Sequence, residues 1–369
     1  MLTPFDDYPI HQTSAPIAQT VSADPNHYDR YWFNGYDRDG AFFLGAAMGH
    51  YPNRGVIDAA FSVVHAGVEH SVFASGEMPV DRATRVGPLR IEIIEPLRTL
   101  RYVVDDHDSG ITADVTFRAR TRPIEEPRQQ IVRNNVMIMD YTRLTQWGTW
   151  EGRITLPSGA TLDLDPSRTF ATRDRSWGVR GVGQQVATNF GHTPGGVFWL
   201  WAPLHFDDCC THLALMEHAD GDRWLEQALV VPVLPDPAET EHLGRTEYDL
   251  EWMPGRREIA RAALHLRGRD GGDRDTIEFE RLLTFRMRGI GYLHPTWGHG
   301  TNHGPLAVAT EAIDPDAIDP GDPSSVHVQT LCRVRMGERT GVGVLEQLAI
   351  GPHEPTGLTG AFDGWMPSS

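Results

Sequence analysis

Residues 111 to 120 read ITADVTFRAR, and their alternation decides the fold class. Ile111, Ala113, Val115, Phe117 and Ala119 fall on one face of an extended chain, while Thr112, Asp114, Thr116, Arg118 and Arg120 fall on the other. Successive side chains of a strand point to opposite sides, so this segment reads as a strand with one packed face and one wet face. A sheet wetted on one side is characteristic of antiparallel pairing. Shorter runs of the same kind lie at 41–48, 56–64, 89–94, 101–104, 196–204, 212–217, 224–231, 262–267, 276–285, 326–335 and 341–350. Turn signals separate them, among them Asp39-Gly40, Ser158-Gly159, Asp220-Gly221 and Asp270-Gly271-Gly272. Short strands at such spacing predict an all-β protein of antiparallel meanders that close into barrels or sandwiches.

Residues 125 to 144 (EEPRQQIVRNNVMIMDYTRL) break this pattern. Pro127 can open a helix whose apolar side would hold Ile131, Val136, Met139 and Tyr141, so a short helical connection is expected there. The sequence GHTPG at 191–195 interrupts the strands near mid-chain, which divides the protein into two β domains, 1–190 and 191–369.

Glycine and proline together make 63 of 369 residues, about 17%, against the ~12% of ordinary proteins, which argues against long helical arrays. With 33 basic and 50 acidic residues the formal charge is −17, a field that repels phosphate backbones and excludes nucleic acid as the expected partner. Every basic residue is Arg; no Lys occurs anywhere. Schiff-base, pyridoxal-phosphate and Walker-type nucleotide chemistry each need a Lys amine, and Arg stays protonated at any working pH. Cys209, Cys210 and Cys332 form no CxxC pair, so neither a zinc knuckle nor a disulfide framework is indicated, and a reducing compartment is expected. No GxSxG elbow occurs, and Gly181-Val182-Gly183 lacks the third Gly of a dinucleotide loop. The opening MLTPFDDYPI is acidic where a secretion signal is basic, and no run approaches ~18 apolar residues, so no membrane span and a cytoplasmic location are expected. A homodimer stays open.

Three clusters are richer in aromatic and ionisable residues than a β core requires. The first, Tyr31, Trp32, Asn34, Tyr36 and Asp37 (YWFNGYD), lies just ahead of the first clear strand. The second, residues 173–180 (RDRSWGVR), alternates so that Asp174, Ser176 and Gly178 share one face and Arg173, Arg175, Trp177 and Val179 the other. An inward Asp174 would be raised toward neutrality by burial and become a proton donor; the plainer reading is an ion pair with Arg175 or Arg180. The third cluster, residues 294–303 (HPTWGHGTNH), holds Trp297 and three histidines. His294, His299 and His303 raise a metal triad as an alternative, but the run contains no carboxylate and fits no dedicated zinc spacing, so His299 and His303 are read as an acid/base pair. Trp32, Trp177, Trp199, Trp201 and Trp297 offer broad aromatic faces for a hydrophobic ligand.

Together with HGPLAV and GVGVLEQLAIGPH, these segments resemble the two-domain lipocalin-like (calycin) proteins related to carotenoid hydratase (hydroxyneurosporene synthase) and tocopherol cyclase. The resemblance implies two packed antiparallel barrels, a hydrophobic pocket near their junction and chemistry without a redox cofactor. In that family an Asp at the end of the first domain is the proposed proton donor, and Asp174 occupies the matching position. Thr172 stands where the pattern has Tyr two residues earlier, which points away from a carotenoid and toward a smaller, more polar substrate. The expected catalytic residues are therefore Asp174, His299 and His303, with Tyr31, Trp32, Asn34, Arg175, Trp177, Trp199, Trp201 and Trp297 as substrate-binding residues. The expected function is a cofactor-free lyase (hydratase, dehydratase or retro-aldol type) or isomerase acting on a terpenoid, steroid or plant-derived aromatic alcohol. A lipocalin-like carrier that transforms nothing and a His-ligated metalloenzyme are the rival readings.

Overall fold

A computed structural model of the protein describes residues 2–3, 9, 11–133, 135–181, 196–317, 319–364 and 366. The interval 191–195, expected to separate two domains, lies outside the described residues. Among those described, regular structure is almost wholly β, with only 3-10 turns beside it. The first thirteen strands are β1 (His27–Asp37), β2 (Phe42–Tyr51), β3 (Val56–His65), β4 (Val68–Glu77), β5 (Arg85–Val86), β6 (Leu89–Glu95), β7 (Thr99–Val104), β8 (Thr112–Ala119), β9 (Ile124–Glu125), β10 (Gln129–Arg133), β11 (Val136–Thr155), β12 (Thr161–Leu164) and β13 (Thr169–Val179). They are followed by β14 (Val197–Trp201), β15 (Leu204–His205), β16 (Cys209–Glu217), β17 (Arg223–Pro232), β18 (Glu241–His242), β19 (Glu247–Trp252), β20 (Ile259–Arg267), β21 (Asp273–Arg286), β22 (Leu306–Ile313), β23 (His327–Met336) and β24 (Arg339–Ile350).

All pairings are antiparallel and build two sheets. The first runs β22-β4-β3-β2-β1-β13-β11-β8-β7-β6-β5, and the second β18-β17-β16-β14-β24-β23-β21-β20-β19. The first curls into a nearly closed barrel: Phe33 of β1, Phe61 of β3, Leu89 of β6, Val115 of β8 and Trp150 of β11 share one enclosed core. The quoted segment behaves as read, since Ile111, Ala113, Val115 and Phe117 are buried in this core while Asp114 and Arg118 face out. The second sheet encloses its own core around Phe198, Leu213, Leu264 and Leu345. One strand crosses over, because β22 is drawn from late in the chain and pairs with β4 from Leu306 opposite Gly76 to Ile313 opposite Glu69.

The helical connection expected at 125–144 is not formed. Residues 124–125, 129–133 and 136–155 are strands β9, β10 and β11, and β11 runs for 20 residues. Period two prevails because Tyr141, Arg143, Thr145 and Trp147 all have work on one face of β11, and β13 satisfies its backbone from Asp140 to Thr149. YWFNGYD likewise does not precede the first strand; it is the first strand.

A third apolar cluster lies between the sheets. Trp32, Tyr36, Phe43 and Phe73 from the first sheet meet Trp199, Trp201, Phe285 and Val344 from the second. Gly45 allows the close approach, since a Cβ there would sit 2.4 Å from Phe285 Cζ. Three indoles in one seam give most of its hydrophobic contribution, as each buried Trp removes about 150–250 Å² from water.

Candidate active site

The two faces of β1 serve different purposes. Tyr31 and Phe33 point into the first barrel, while Trp32 and Tyr36 point to the seam. The β1–β13 register sets Trp32 opposite Asp174 and Arg30 opposite Ser176, and the β11–β13 register sets Thr145 opposite Asp174 and Arg143 opposite Ser176. Directly paired residues share a face. Asp174 therefore points not into the barrel interior but into the seam, among Arg30, Trp32, Arg143 and Thr145.

Asp174 is half-buried, and among the described residues its side chain has no hydrogen-bond or ion-pair partner. Burial pushes its carboxyl up to about 6, against the pull of Arg143 and Arg30. The expected ion pair with Arg175 is not made. Arg175 lies on the opposite face, pairs with Asp29 and covers the Tyr31 ring at 4.2 Å. Arg180 is near enough to act on Asp174 electrostatically but spends its guanidinium over the rings of Tyr28 and Tyr141, at 5.0 and 5.5 Å.

Arg143 is held by a different acid. Its Nε donates to Glu126 Oε2 at 2.8 Å, Thr145 Oγ1 donates to Glu126 Oε1 at 2.6 Å, and His212 Nε2 lies 3.6 Å from that oxygen. Burial alone would raise Glu126, but Arg143 and His212 hold it below the usual carboxylate range. Trp199 lies under the Arg143 guanidinium at 4.9 Å and donates its indole N–H to Glu346 at 2.9 Å. Trp201 donates toward Glu126 at 3.4 Å. His327 Nε2 is 2.9 Å from Glu346 Oε1 and its ring meets Tyr292 edge-on.

Tyr292 links this seam to the 294–303 loop. Its hydroxyl accepts from Arg30 Nη1 at 2.9 Å, and its ring packs edge-on against His299. His299 is buried, which holds it well below the usual imidazole range, aided by Arg30 and Arg180, so it is neutral. An adjoining crevice between that loop and β3–β4 is lined by Asp58, Phe73, Ser75, Trp297, His299 and His303. Burial also lifts Asp58 to about 6, although Gly300 N–H donates to it at 2.6 Å.

The structure thus brings Asp174, Trp32, Asn34, Trp199 and Trp201 to one seam, with His299 reaching it through Tyr292 and Arg30. Asn34 there bridges the sheets, donating to Gln329 at 2.9 Å and accepting from the Thr172 N–H. Trp297 and His303 stack on each other at the crevice. Tyr31, Arg175 and Trp177 are not part of either group: all three lie on the barrel side of the first sheet, and Trp177 is 41% exposed. The three loop histidines diverge, His294 toward Glu311, His299 toward Tyr292 and His303 onto Trp297. Among the described residues no three His, Cys, Asp or Glu side chains form a group that could hold a metal ion.

Arg30, Asp58, Glu126, Arg143 and Tyr292 were not singled out from sequence. Arg30 had a usable signal, since it alternates with Trp32 and Asn34. Arg143 was hidden by the helical reading of its segment.

Two packed antiparallel sheets with a seam between them define an all-β, two-sheet protein. The chain belongs to a family of unknown function, DUF8625, whose model matches residues 2–359. No curated protein matches it. Among solved structures it is similar to kievitone hydratase from Nectria haematococca, at 14% identity, TM-score 0.53 and coverage of 95% of this chain and 96% of that one. It is also similar to a protein from Nitrosomonas europaea designated AttH, at 10% identity, TM-score 0.55 and coverage of 87% and 92%. At these identities the likeness is one of fold.

Proposed function

We propose that the protein is a cofactor-free acid/base enzyme of hydratase, lyase or isomerase type, with Asp174 as the group that exchanges a proton with the substrate. The observation that carries this reading is a half-buried, unpartnered carboxyl raised to about 6, opposite Trp32 in the strand register and facing the seam that also holds Trp199. A general acid works best with a pKa near the working pH, and an enclosed aromatic wall keeps bulk water from competing for the proton. In the hydration direction water adds to one carbon of an alkene conjugated with an oxygen group, the enolate carbon that results takes the Asp174 proton, and the proton that water loses restores the carboxyl. Elimination runs the same steps backwards. The mixture of indoles and ionisable groups at the seam supports a terpenoid, steroid or plant-derived aromatic alcohol in preference to a carotenoid. The fold it shares with a hydratase is consistent with this chemistry, as is the resemblance to the carotenoid hydratase and tocopherol cyclase group. A pure carrier is disfavoured, because an apolar ligand alone gives no return for burying so many ionisable groups.

The test is a panel of hydroxylated aromatics, terpenoid alcohols and steroids, read by mass spectrometry for gain or loss of one water, with native protein and D174N. Turnover by the native protein, lost in D174N at unchanged melting temperature, is the expected result. Full activity in D174N sinks the role of Asp174, and binding without turnover across the panel favours the carrier. Chelator is expected to leave the rate unchanged; activity lost on chelation and regained with one metal would promote the metalloenzyme reading.

A further inference from the structure

The charges at the seam are unevenly paired. Glu126 neutralises Arg143. Arg30 and Arg180 make no ion pair among the described residues; Asp174 acts on both and Asp58 on Arg30, while Glu346 is taken up by Trp199, His327 and Gln329. Arg30 is 1% exposed, yet its Nε and Nη2 have no hydrogen-bond partner, its bond being the one from Nη1 to Tyr292. A buried donor left unmade costs about 1–3 kcal/mol, more when it is charged. Such a guanidinium is a ready donor to an oxyanion, since its remaining N–H groups are buried and unbonded. The same field opposes a carbocation. Two guanidiniums without an ion-pair partner disfavour a cationic intermediate and favour a developing enolate or phenolate.

We propose that the seam takes an anionic ligand: an apolar ring body with one acidic oxygen group, such as a phenolate, an enolate or a carboxylate, held by Arg30 and Arg180. The ring lies along Trp32 and Trp199, and the oxyanion sits by the guanidiniums with Asp174 at its side. This rests on the reading of the seam as the ligand site, and it narrows the substrate to molecules that carry or develop negative charge. The net charge of −17 does not forbid this, because surface charges are screened over about 8 Å at physiological salt while the seam charges are not.

Two probes that share one body test it on the full chain: 1-anilinonaphthalene-8-sulfonate, which is anionic, and N-phenyl-1-naphthylamine, which is not. Their dissociation constants are measured by fluorescence at physiological salt for native protein, R30Q, R180Q and D174N, each checked for melting temperature. The expected result is single-site binding of the sulfonate at least tenfold tighter than the neutral probe. R30Q and R180Q each weaken the sulfonate at least fivefold and leave the neutral probe within twofold, whereas D174N tightens the sulfonate. Equal affinity for the two probes in native protein, no binding of either, or sulfonate binding unaltered in folded R30Q and R180Q would overturn the proposal. If R30Q does not fold, the half-buried R180Q carries the comparison. Loss of turnover in D174N without any anion preference keeps the acid/base role and removes this inference; anion preference with full turnover in D174N does the reverse.

Discussion

Asp174 stands among three arginines and touches none of them, which leaves it able to hold a proton. Its carboxyl, at about 6 in the folded protein, is the acid form below that value. A rate that depends on proton donation is therefore expected to be level at low pH and to fall as pH rises through about 6, and a pH–rate profile with the best panel substrate checks this. A limb that rises instead would make Asp174 the base. His299, neutral across that window, contributes no limb of its own. The face that Asp174 takes was legible in sequence because alternation within RDRSWGVR separates it from Arg175. Its surroundings were not, since Arg30, Arg143 and Tyr292 are 144, 31 and 118 positions away and meet it only through strand register and a loop.

Among the elements, β11 joins the barrel to the seam. Its Arg143 and Thr145 converge on Glu126, which leads back to Trp201. Replacing one partner of a buried pair leaves the other charge unpaired, so E126Q is expected to lose about 3–5 kcal/mol of stability, visible as a melting temperature several degrees lower. A melting temperature unchanged in E126Q would show that the pair is not needed for folding. Toward the edge of the first sheet, Glu69 of β4 is fully buried, accepts the Arg286 N–H at 2.9 Å and lies 3.3 Å from Ser62 Oγ. Burial raises it to about 8, so the folded protein keeps a proton that the unfolded chain releases at an ordinary carboxylate value. Stability from this group is full at low pH and lost as pH climbs toward 8. E69Q, which can keep both contacts without ionising, is expected to gain melting temperature relative to native protein as pH rises from 5 to 8.5; a constant difference would refute the assignment. These element-level facts were only half legible. Strands of strict alternation, such as 111–120, could be read directly, while 136–155 mixes apolar and polar residues on both faces because both faces are buried or paired, and that mixture mimics a helical period.

For the whole molecule, the two sheets are tied by the seam and by β22, which leaves the second half of the sequence to complete the first sheet. We propose domains 1–190 and 191–369 as units of sequence, and the crossover predicts that they melt together. A single calorimetric transition is expected; two separated peaks would show independent units. Two barrels could be expected from strand spacing, but the return of β22 could not, since LAVATEAI carries no mark of which sheet it will join. The return also has a consequence during synthesis. Until Leu306–Ile313 emerges from the ribosome, β4 is an open edge carrying Val72, Phe73 and Ala74, and at about 5–20 residues per second that interval lasts tens of seconds. An unpaired apolar edge invites pairing with another chain, so the nascent protein is a natural client for a chaperone that shields β4 until its partner strand has been translated.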